Sequence, residues 1–586
     1  MKFNFGKNQL LAILGLFWLG LLFLSLLMTI IGLFYGQILT AYLILGSAVL
    51  FFIFGKNWRF FYKHAKFSVI IIISLLFVYI LSSFVSPTIF SGRDQGSFSE
   101  AAIRLSQKHQ LKFSFPASRE FFNIYGPGKA LNFPGFNYTA DGQLITHFPI
   151  GYISWLASFY SIFGLSGLVL ANGITLFLFL IFFFSFSRIY LKTYPSFVAW
   201  LLVLTSFVFS WFFKFTLSEN LALFLFWFGL WNFSIFMERK HTLHLSSALL
   251  SFLFLAFTRI EGLAFLAIAI FLIRIKQKSW NDFGNILRKK WMAVAFASLI
   301  VLYLFSFNVN YPFYLNALKG LFGSLANTTT PSGNIFSFFY VFKVLFVYAI
   351  FDFVIIAFIA LFYALKNKHY ENLFPLLISS PAFLYLINPS ISSDHPWMLR
   401  RFVFTIVPVS IFYSVWLLDK FFERKRIFFH FLSLALLIIN LFIFIPYFPV
   451  KENQNLLAQT EEMSRHFSSS DLVLMDREAS GSGWSMMAGP LNFLYGKQAV
   501  YFFNSKDLEK IKLSRFSNVY LVVPDKNIEL YEKSPLGEKM YFQREYRIET
   551  TSLNIKSGEK DKPQNSDLSL PESQKTIIYG KIYMIK

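Results

Sequence analysis

Cysteine is absent from the 586 residues, which excludes disulfide staples, thiolate metal sites and a cysteine nucleophile. Charge is scarce as well: Asp, Glu, Lys and Arg make up 14% of the chain, with 31 acids against 53 bases. Long polar loops are rare, and no internal repeat stands out. What fills the chain is apolar: 56% hydrophobic residues, 20% aromatics and 80 Phe, with a mean hydropathy of +0.54. A soluble protein could not hide that much apolar surface, so the composition describes an α-helical polytopic membrane protein. The first apolar stretch, about 10–34, is too long for a signal-peptide core and lacks a cleavage site, so it is expected to remain as a span.

The net charge of +22 invites a nucleic-acid reading, which its distribution excludes. Residues 451–586 carry 19 basic and 18 acidic side chains, so the excess lies in the apolar part. There it falls in short clusters: Lys56/Arg59/Lys63/Lys66, Arg239/Lys240, Arg274/Lys276/Lys278, Arg288/Lys289/Lys290, Lys366/Lys368 and Lys420/Arg424/Lys425/Arg426. Such clusters mark cytoplasmic loops. No basic stripe is left for DNA or RNA.

Threaded on those marks, the chain is expected to cross about thirteen times. The spans fall near 9–34, 37–54, 67–90, 166–190, 195–214, 219–237, 244–257, 260–275, 291–309, 346–365, 371–388, 402–418 and 427–447. The N-terminus would be cytoplasmic and the C-terminus outside. Ile150–Phe163 is apolar but about 14 residues long, too short to cross, and reads as an interfacial or re-entrant helix. The expected organisation is an extra hairpin and basic loop (1–66), a membrane catalytic domain (67–447) with an outer loop at 91–149, and a soluble extracytoplasmic α/β domain (448–586). In that last segment helices are expected at 456–467, 484–495 and 508–516. Strands are expected at 471–475, 500–503, 519–523, 541–551 and 576–585. The polar stretch 556–574 reads as a loop.

The outer face then collects the Ser91–His147 loop, the Phe215–Asn220 turn, a loop at 310–334 and the Asn388–Arg401 loop. Loops as long as the first, about 55 residues, tend to be functional. Gly92-Arg93-Asp94-Gln95-Gly96 opens it, just beyond an apolar helix, where a carboxylate is costly unless used. Ser97, Phe98, Ala101, Ala102 and Leu105 follow at helical spacing, so Asp94 sits at a helix N-terminus, as a cap or as a reactive acid. Glu219 begins a second helix and is either a cap-region acid or a second carboxylate facing Asp94. Arg259 and Glu261 form either a mutually neutralising turn or part of the same pocket. Arg400 and Arg401, after Asp394 and His395, are a doublet of cations outside the membrane, which a phosphate would compensate. His147 could bind a metal or phosphate, or only anchor at the interface. Acids for proton abstraction and guanidinium groups for phosphate suit a lipid-phosphate substrate.

At these residues the chain resembles the C-type (GT-C) membrane glycosyltransferases. That group holds the dolichyl-phosphate-mannose protein mannosyltransferases (glycosyltransferase family 39) and the bacterial aminoarabinose transferase acting on lipid A. Arg93-Asp94-Gln95-Gly96-Ser97-Phe98-Ser99-Glu100-Ala101-Ala102 resembles the family's first outer loop, where an acid begins a juxtamembrane helix. His147-Phe148-Pro149-Ile150-Gly151-Tyr152, with Phe163-Gly164 beyond it, resembles the later basic-x-Pro segment. Thr216-Leu217-Ser218-Glu219-Asn220 resembles the second-loop acid. Thr258-Arg259-Ile260-Glu261-Gly262 resembles a basic turn between spans, and Arg400-Arg401 up to Pro408 the late Arg-aromatic-x-Pro region.

The resemblance covers roughly 67–420. It implies inverting transfer of a sugar from a polyprenyl-phosphate donor to an acceptor hydroxyl on a glycan, glycolipid or protein, at the outer face of the plasma membrane. Asp94 would be the base. Arg259, Arg400, Arg401 and His147 would hold the donor phosphate, with Arg93, Gln95, Glu100, Glu261, Asp394 and His395 nearby. Glu219 would position the acceptor or, with Asp94, a divalent metal. Gln95 stands where many members carry a second acid, His147 replaces the Lys of some, and two spans precede the usual first one. A ligase-like transferase with a diphosphate-linked glycan is the alternative, as is a lipid or solute transporter; but transporters keep charges near the bilayer midplane and often show repeated halves.

Overall fold

The computed structural model describes residues 6–57, 65–277, 290–326, 338–387, 391, 395, 397–554 and 569–586. Its apolar runs fold as helices, because a helix satisfies all of its own backbone hydrogen bonds where no water can. Six described helices are long and apolar enough to cross a membrane: Lys7–Ile31, Gly36–Lys56, Ala65–Ser82, Leu165–Tyr190, Ser218–Arg239 and Arg426–Tyr447. Two bent pairs raise the number to eight, Thr193–Leu204 with Phe207–Phe213 (51°) and Tyr340–Val347 with Phe351–Lys366 (110°). The second pair breaks at Ala349, whose φ is +55°, outside helical geometry.

The thirteen expected crossings are not all continuous helices of that length. Thr242–Ala256 and Glu261–Gln277 have 15 and 17 residues. The expected span at 371–388 holds Pro375 and Pro381, and folds as consecutive short pieces, Tyr370–Leu373, Phe374–Ser379 and Ser380–Leu386. The span expected at 402–418 starts as a separate turn, Arg400–Val403, before Ile406–Phe421. In the other direction, Lys290–Ala326 runs as one helix of 37 residues through most of the loop expected at 310–334. Residues 327–334 lie outside the described ones.

Ser218–Arg239 is the centre of the bundle, buried from Ser218 to Met237. Aromatic rings pack around it: Phe182 lies 4.8 Å from Phe228, and Phe183 4.8 Å from Trp227, between centroids. Gly36–Lys56 is its opposite. Leu39 is the buried residue there, while Ile44, Leu45, Val49, Phe51 and Phe52 are exposed, the surface of a helix meant for lipid. Away from the Asp94 end, Lys192 pairs with Glu423 at 3.4 Å and Lys276 with Glu371 at 3.1 Å.

Between Ala65–Ser82 and Leu165–Tyr190 the expected outer loop is folded throughout. It contains helices Asp94–Lys108 and Pro116–Tyr125, and an antiparallel sheet β1 (Gly128–Lys129), β2 (Phe136–Tyr138), β3 (Leu144–Thr146). Ile150–Phe163 has its expected 14 residues. It is not spread on a surface, however: Ile150–Phe159 are buried. Ser158 and Ser154 hydrogen-bond Ser25 and Thr29 of the first helix, at 2.6 and 2.8 Å.

The C-terminal segment forms a five-stranded sheet in the order β5-β4-β6-β8-β7. Its strands are β4 (Leu472–Asp476), β5 (Gln498–Phe502), β6 (Val519–Pro524), β7 (Met540–Asn554) and β8 (Glu572–Ile585). The first three run parallel; β8 is antiparallel to β6, and β7 is antiparallel to β8. Leu472–Met475 are all buried, as a continuous apolar central strand requires. The helix expected at 456–467 is Leu456–Ser464; that at 484–495 is helical over Ala488–Phe493, and that at 508–516 is replaced by short 3-10 turns. Residues 555–568, most of the polar stretch, lie outside the described ones.

This sheet is fastened to the Asp94 loop. Asn132 Nδ2 donates to Tyr501 O at 2.6 Å, Tyr125 Oη to Asp507 at 2.5 Å, and Arg515 reaches Glu120 at 2.5 Å. Lys214 joins the same assembly from below, donating to the carbonyls of Tyr447, Phe448 and Val450 at 3.0, 2.8 and 2.7 Å. It thereby satisfies orphan carbonyls where Arg426–Tyr447 ends.

Candidate active site

Asp94 is the first residue of helix Asp94–Lys108, with Arg93 extended before it. Two glycines explain how the chain gets there. Gly92 has φ +116°, and a Cβ on it would meet the Gly483 carbonyl at 3.0 Å; only glycine adopts that conformation freely. Gly96 lets the strand before the helix fold back, since a Cβ there would run into the Phe90 carbonyl.

Hydroxyl groups then lock the helix to the Glu219 turn. Thr216 Oγ1 donates to Gln95 O at 2.8 Å and lies 2.7 Å from both Ser99 Oγ and Thr88 Oγ1. Ser99 donates to Thr88 O at 2.8 Å. Thr88 carries no signal in sequence; Ser99 and Thr216 stand inside the segments that resemble the family, without a role of their own there.

The result brings distant charges together. Arg400 forms an ion pair with Asp94, and its Nε lies 4.0 Å from Glu219 Oε1. Glu219, 3% exposed, also takes Arg259 Nη1 at 2.7 Å. Arg259 continues to Glu261 at 2.9 Å and lies 4.8 Å over the ring of Phe404. Tyr385, which sequence reasoning missed, donates its hydroxyl to Glu261 and accepts from Arg259 at 3.3 Å. The His147 segment is pinned beside this turn, because Gly151 N donates to Phe257 O at 2.9 Å.

Arg401 differs from its neighbours. It stacks on the Tyr385 ring at 5.1 Å. Among the described residues no carboxylate lies within ion-pairing distance of it.

Partial burial favours a neutral Asp94 carboxyl, but Arg400 outweighs it, with His147 and Arg401 adding to its effect. The Asp94 pKa is therefore held below the usual carboxylate value, and the side chain is an anion. Burial lowers the His147 pKa; Asp94 opposes that and Lys129 adds to it.

Not every expected residue joins the cluster. Glu100 lies six residues beyond Asp94, short of two helical turns, and faces another way. It accepts from Ser91 Oγ at 3.0 Å, with Arg104 3.6 Å away, and Arg104 donates to Asn492 of the C-terminal segment at 2.5 Å. Arg93 turns toward Trp484, 4.9 Å from its ring centroid, and His395 toward Trp397 and the same Trp484. Gln95 is buried, its carbonyl held by Thr216. Asp394 lies outside the described residues.

A divalent metal between Asp94 and Glu219 does not fit this donor set. Both carboxylates are already matched by guanidinium groups, whose charge repels a cation. Among the described residues no group of three or more His, Asp and Glu side chains could hold a metal ion.

The fold is one seen in solved structures. It is similar to the archaeal oligosaccharyltransferase AglB from Archaeoglobus fulgidus, seen in complex with an inhibitory peptide and a dolichol-phosphate. There the TM-score is 0.50 at 13% identity, over 83% of this chain and 73% of that one. The apo form of the Archaeoglobus fulgidus oligosaccharyltransferase gives 0.52 at 13%, over 83% and 74%. ArnT from Cupriavidus metallidurans bound to undecaprenyl phosphate gives 0.49 at 11%, over 82% and 97%. No protein-family model matches the chain, and no curated protein matches it.

Proposed function

We propose that this protein is a membrane glycosyltransferase that moves a sugar from a polyprenyl-phosphate donor to an acceptor hydroxyl, with Asp94 as general base. The observation that carries the reading is the chain of ion pairs Asp94–Arg400–Glu219–Arg259–Glu261 beside Arg401, which pairs with no acid among the described residues. The fold it shares with AglB, whose complex holds a dolichol-phosphate, supports the same donor class.

The donor phosphodiester enters against Arg401 and competes with Asp94 for Arg400, since guanidinium forks bind phosphate oxygens bidentately. Asp94 loses part of its ion pair, so its pKa rises as the substrate settles. Asp94 then takes the proton of the acceptor hydroxyl. The acceptor oxygen attacks the anomeric carbon, and the bond from that carbon to the phosphate oxygen breaks with inversion. The polyprenyl phosphate leaves with the electron pair and gains a second negative charge. Arg400 and Arg401 neutralise it. Glu219 does not meet substrate in this scheme; held by Arg259, it fixes the guanidinium plane of Arg400.

The membrane is a bacterial plasma membrane, with the N-terminus cytoplasmic and the Asp94 end, including residues 448–586, on the outer side. The basic clusters of the sequence, which read as cytoplasmic loops, support that orientation. The domain limits 1–66, 67–447 and 448–586 are part of the same reading.

Native mass spectrometry of the purified protein with undecaprenyl phosphate tests the donor site. The wild type should retain the lipid, and Arg400→Ala/Arg401→Ala should lose it at least tenfold. Equal retention by both would remove the basis for a phosphate donor here.

A further inference from the structure

The loop Gly481–Met487 of the C-terminal segment reaches into the site from above. Met486 N donates to Ser91 O at 2.8 Å, and Gly92 lies against the backbone of Gly483 and Trp484. The loop is internally braced: Ser480 Oγ donates to Ser485 O at 2.7 Å, and Ser485 Oγ to Asn453 at 3.0 Å. It presents Trp484, still 40% exposed, between the two stretches that carry the reacting charges. Arg93, next to Asp94, lies 4.9 Å from its ring centroid, and His395, on the approach to Arg400, lies 6.3 Å away.

Arg477 completes the arrangement, 5.0 Å from the Trp484 ring, with its Nε fixed to Gly483 O at 3.1 Å. The acids beside it are engaged elsewhere. Asp476 accepts from Asn527 and Tyr531 at 3.0 and 2.8 Å, and Glu478 pairs with Lys526. Among the described residues none pairs with Arg477. A guanidinium held in place on an indole, with no acid paired to it among the described residues, is a ready oxyanion site.

We infer that Arg477 and Trp484 form the acceptor subsite and receive a saccharide bearing a phosphate or carboxylate. The exposed part of the indole suits the apolar CH groups of a sugar, and the Arg477 guanidinium its anionic substituent. This rests on the glycosyltransfer reading above. It assigns the C-terminal segment a direct part in choosing the acceptor.

The test is ligand-observed NMR titration of the full-length protein in phosphatidylcholine nanodiscs. The probes are glucuronate, glucose 6-phosphate, glucose and a triglutamate peptide, with undecaprenyl phosphate titrated in parallel. The two anionic sugars should bind at least tenfold more tightly than glucose, and the tighter of them identifies the oxyanion. Arg477→Ala should weaken both at least tenfold, Arg477→Lys should restore part of the loss, and undecaprenyl phosphate binding should not change. Because Arg477 is exposed, its replacement should leave the melting temperature intact; Trp484→Phe gives a second, conservative variant that should retain binding.

The subsite is overturned if the wild type binds no anionic sugar, if it binds glucose equally, or if Arg477→Ala binds as the wild type does. Tighter binding of the peptide would overturn the saccharide assignment. Failure of undecaprenyl phosphate to bind, with sugar binding intact, would instead remove the donor reading alone.

Discussion

Asp94 and Glu219, carried by different helices, meet across one guanidinium: Arg400 pairs with the first and lies 4.0 Å from the second. Asp94 is thereby held as an anion, and the proposed donor phosphate would share the cation that lies between the two acids.

The pH dependence of transfer should show this pairing. The Asp94 pKa is depressed in the fold, so the anion persists below the ordinary value of about 3.9. The stability that the pair contributes is present above that value and is lost as pH falls through the lower, folded one. Arg400→Ala removes the main cause of the depression. The acid limb of kcat/KM should then move upward. An unmoved limb would mean that Asp94 does not govern it.

Gly96→Ala tests how the chain reaches the site. The added methyl collides with the Phe90 carbonyl, so the strand before Asp94 must shift. Transfer should fall at least tenfold, because an ångström of misplacement costs on that order. A same-sized loss is expected for Gly92→Ala, where positive φ is the obstacle. Product assays on equal amounts of membrane-inserted protein check both.

The hydroxyl lock is a structural matter. Thr216→Val deletes a group bonded to Thr88, Ser99 and Gln95. With about 1 kcal/mol for each net hydrogen bond, destabilisation of about 1–3 kcal/mol is expected, read as a lower melting temperature in detergent.

The Glu100–Arg104–Asn492 contact should hold the C-terminal segment on the loop. Arg104→Met leaves Glu100 buried without its cation, a change that costs about 3–5 kcal/mol in comparable pairs. Limited proteolysis should release a C-terminal fragment from that variant faster than from the wild type. Adding Glu100→Gln should recover part of the protection, since no buried charge then remains.

Much of this was legible in the sequence where chemistry forces a pattern. Asp94, after Gly92-Arg93, is the first residue of its helix, and Glu219, after Ser218, is the second residue of another. Ile150–Phe163 ends where Pro149 and Gly164 punctuate it. Arg259 and Glu261 are close enough in the chain to pair, and they do.

What escaped depends on three-dimensional partners. Glu100 seemed close to Asp94 in the motif, yet helical rotation turns it to Asn492's side. Trp484 and Arg477 lie almost four hundred residues beyond Asp94, with nothing local to connect them. The helical crossings were harder to count than to recognise. Apolar composition continues through bends at Ser206 and Ala349, and a charge pattern cannot tell one bent helix from two.

The most direct test of the account is the cell-envelope glycan and lipid profile of a strain lacking this protein, complemented with wild type, Asp94→Asn or Asp94→Glu. Mass spectrometry should show sugar-modified products that vanish on deletion, return with the wild type and stay absent, or fall about 10²–10⁴-fold, with Asp94→Asn. Normal levels of every missing product with Asp94→Asn would contradict it.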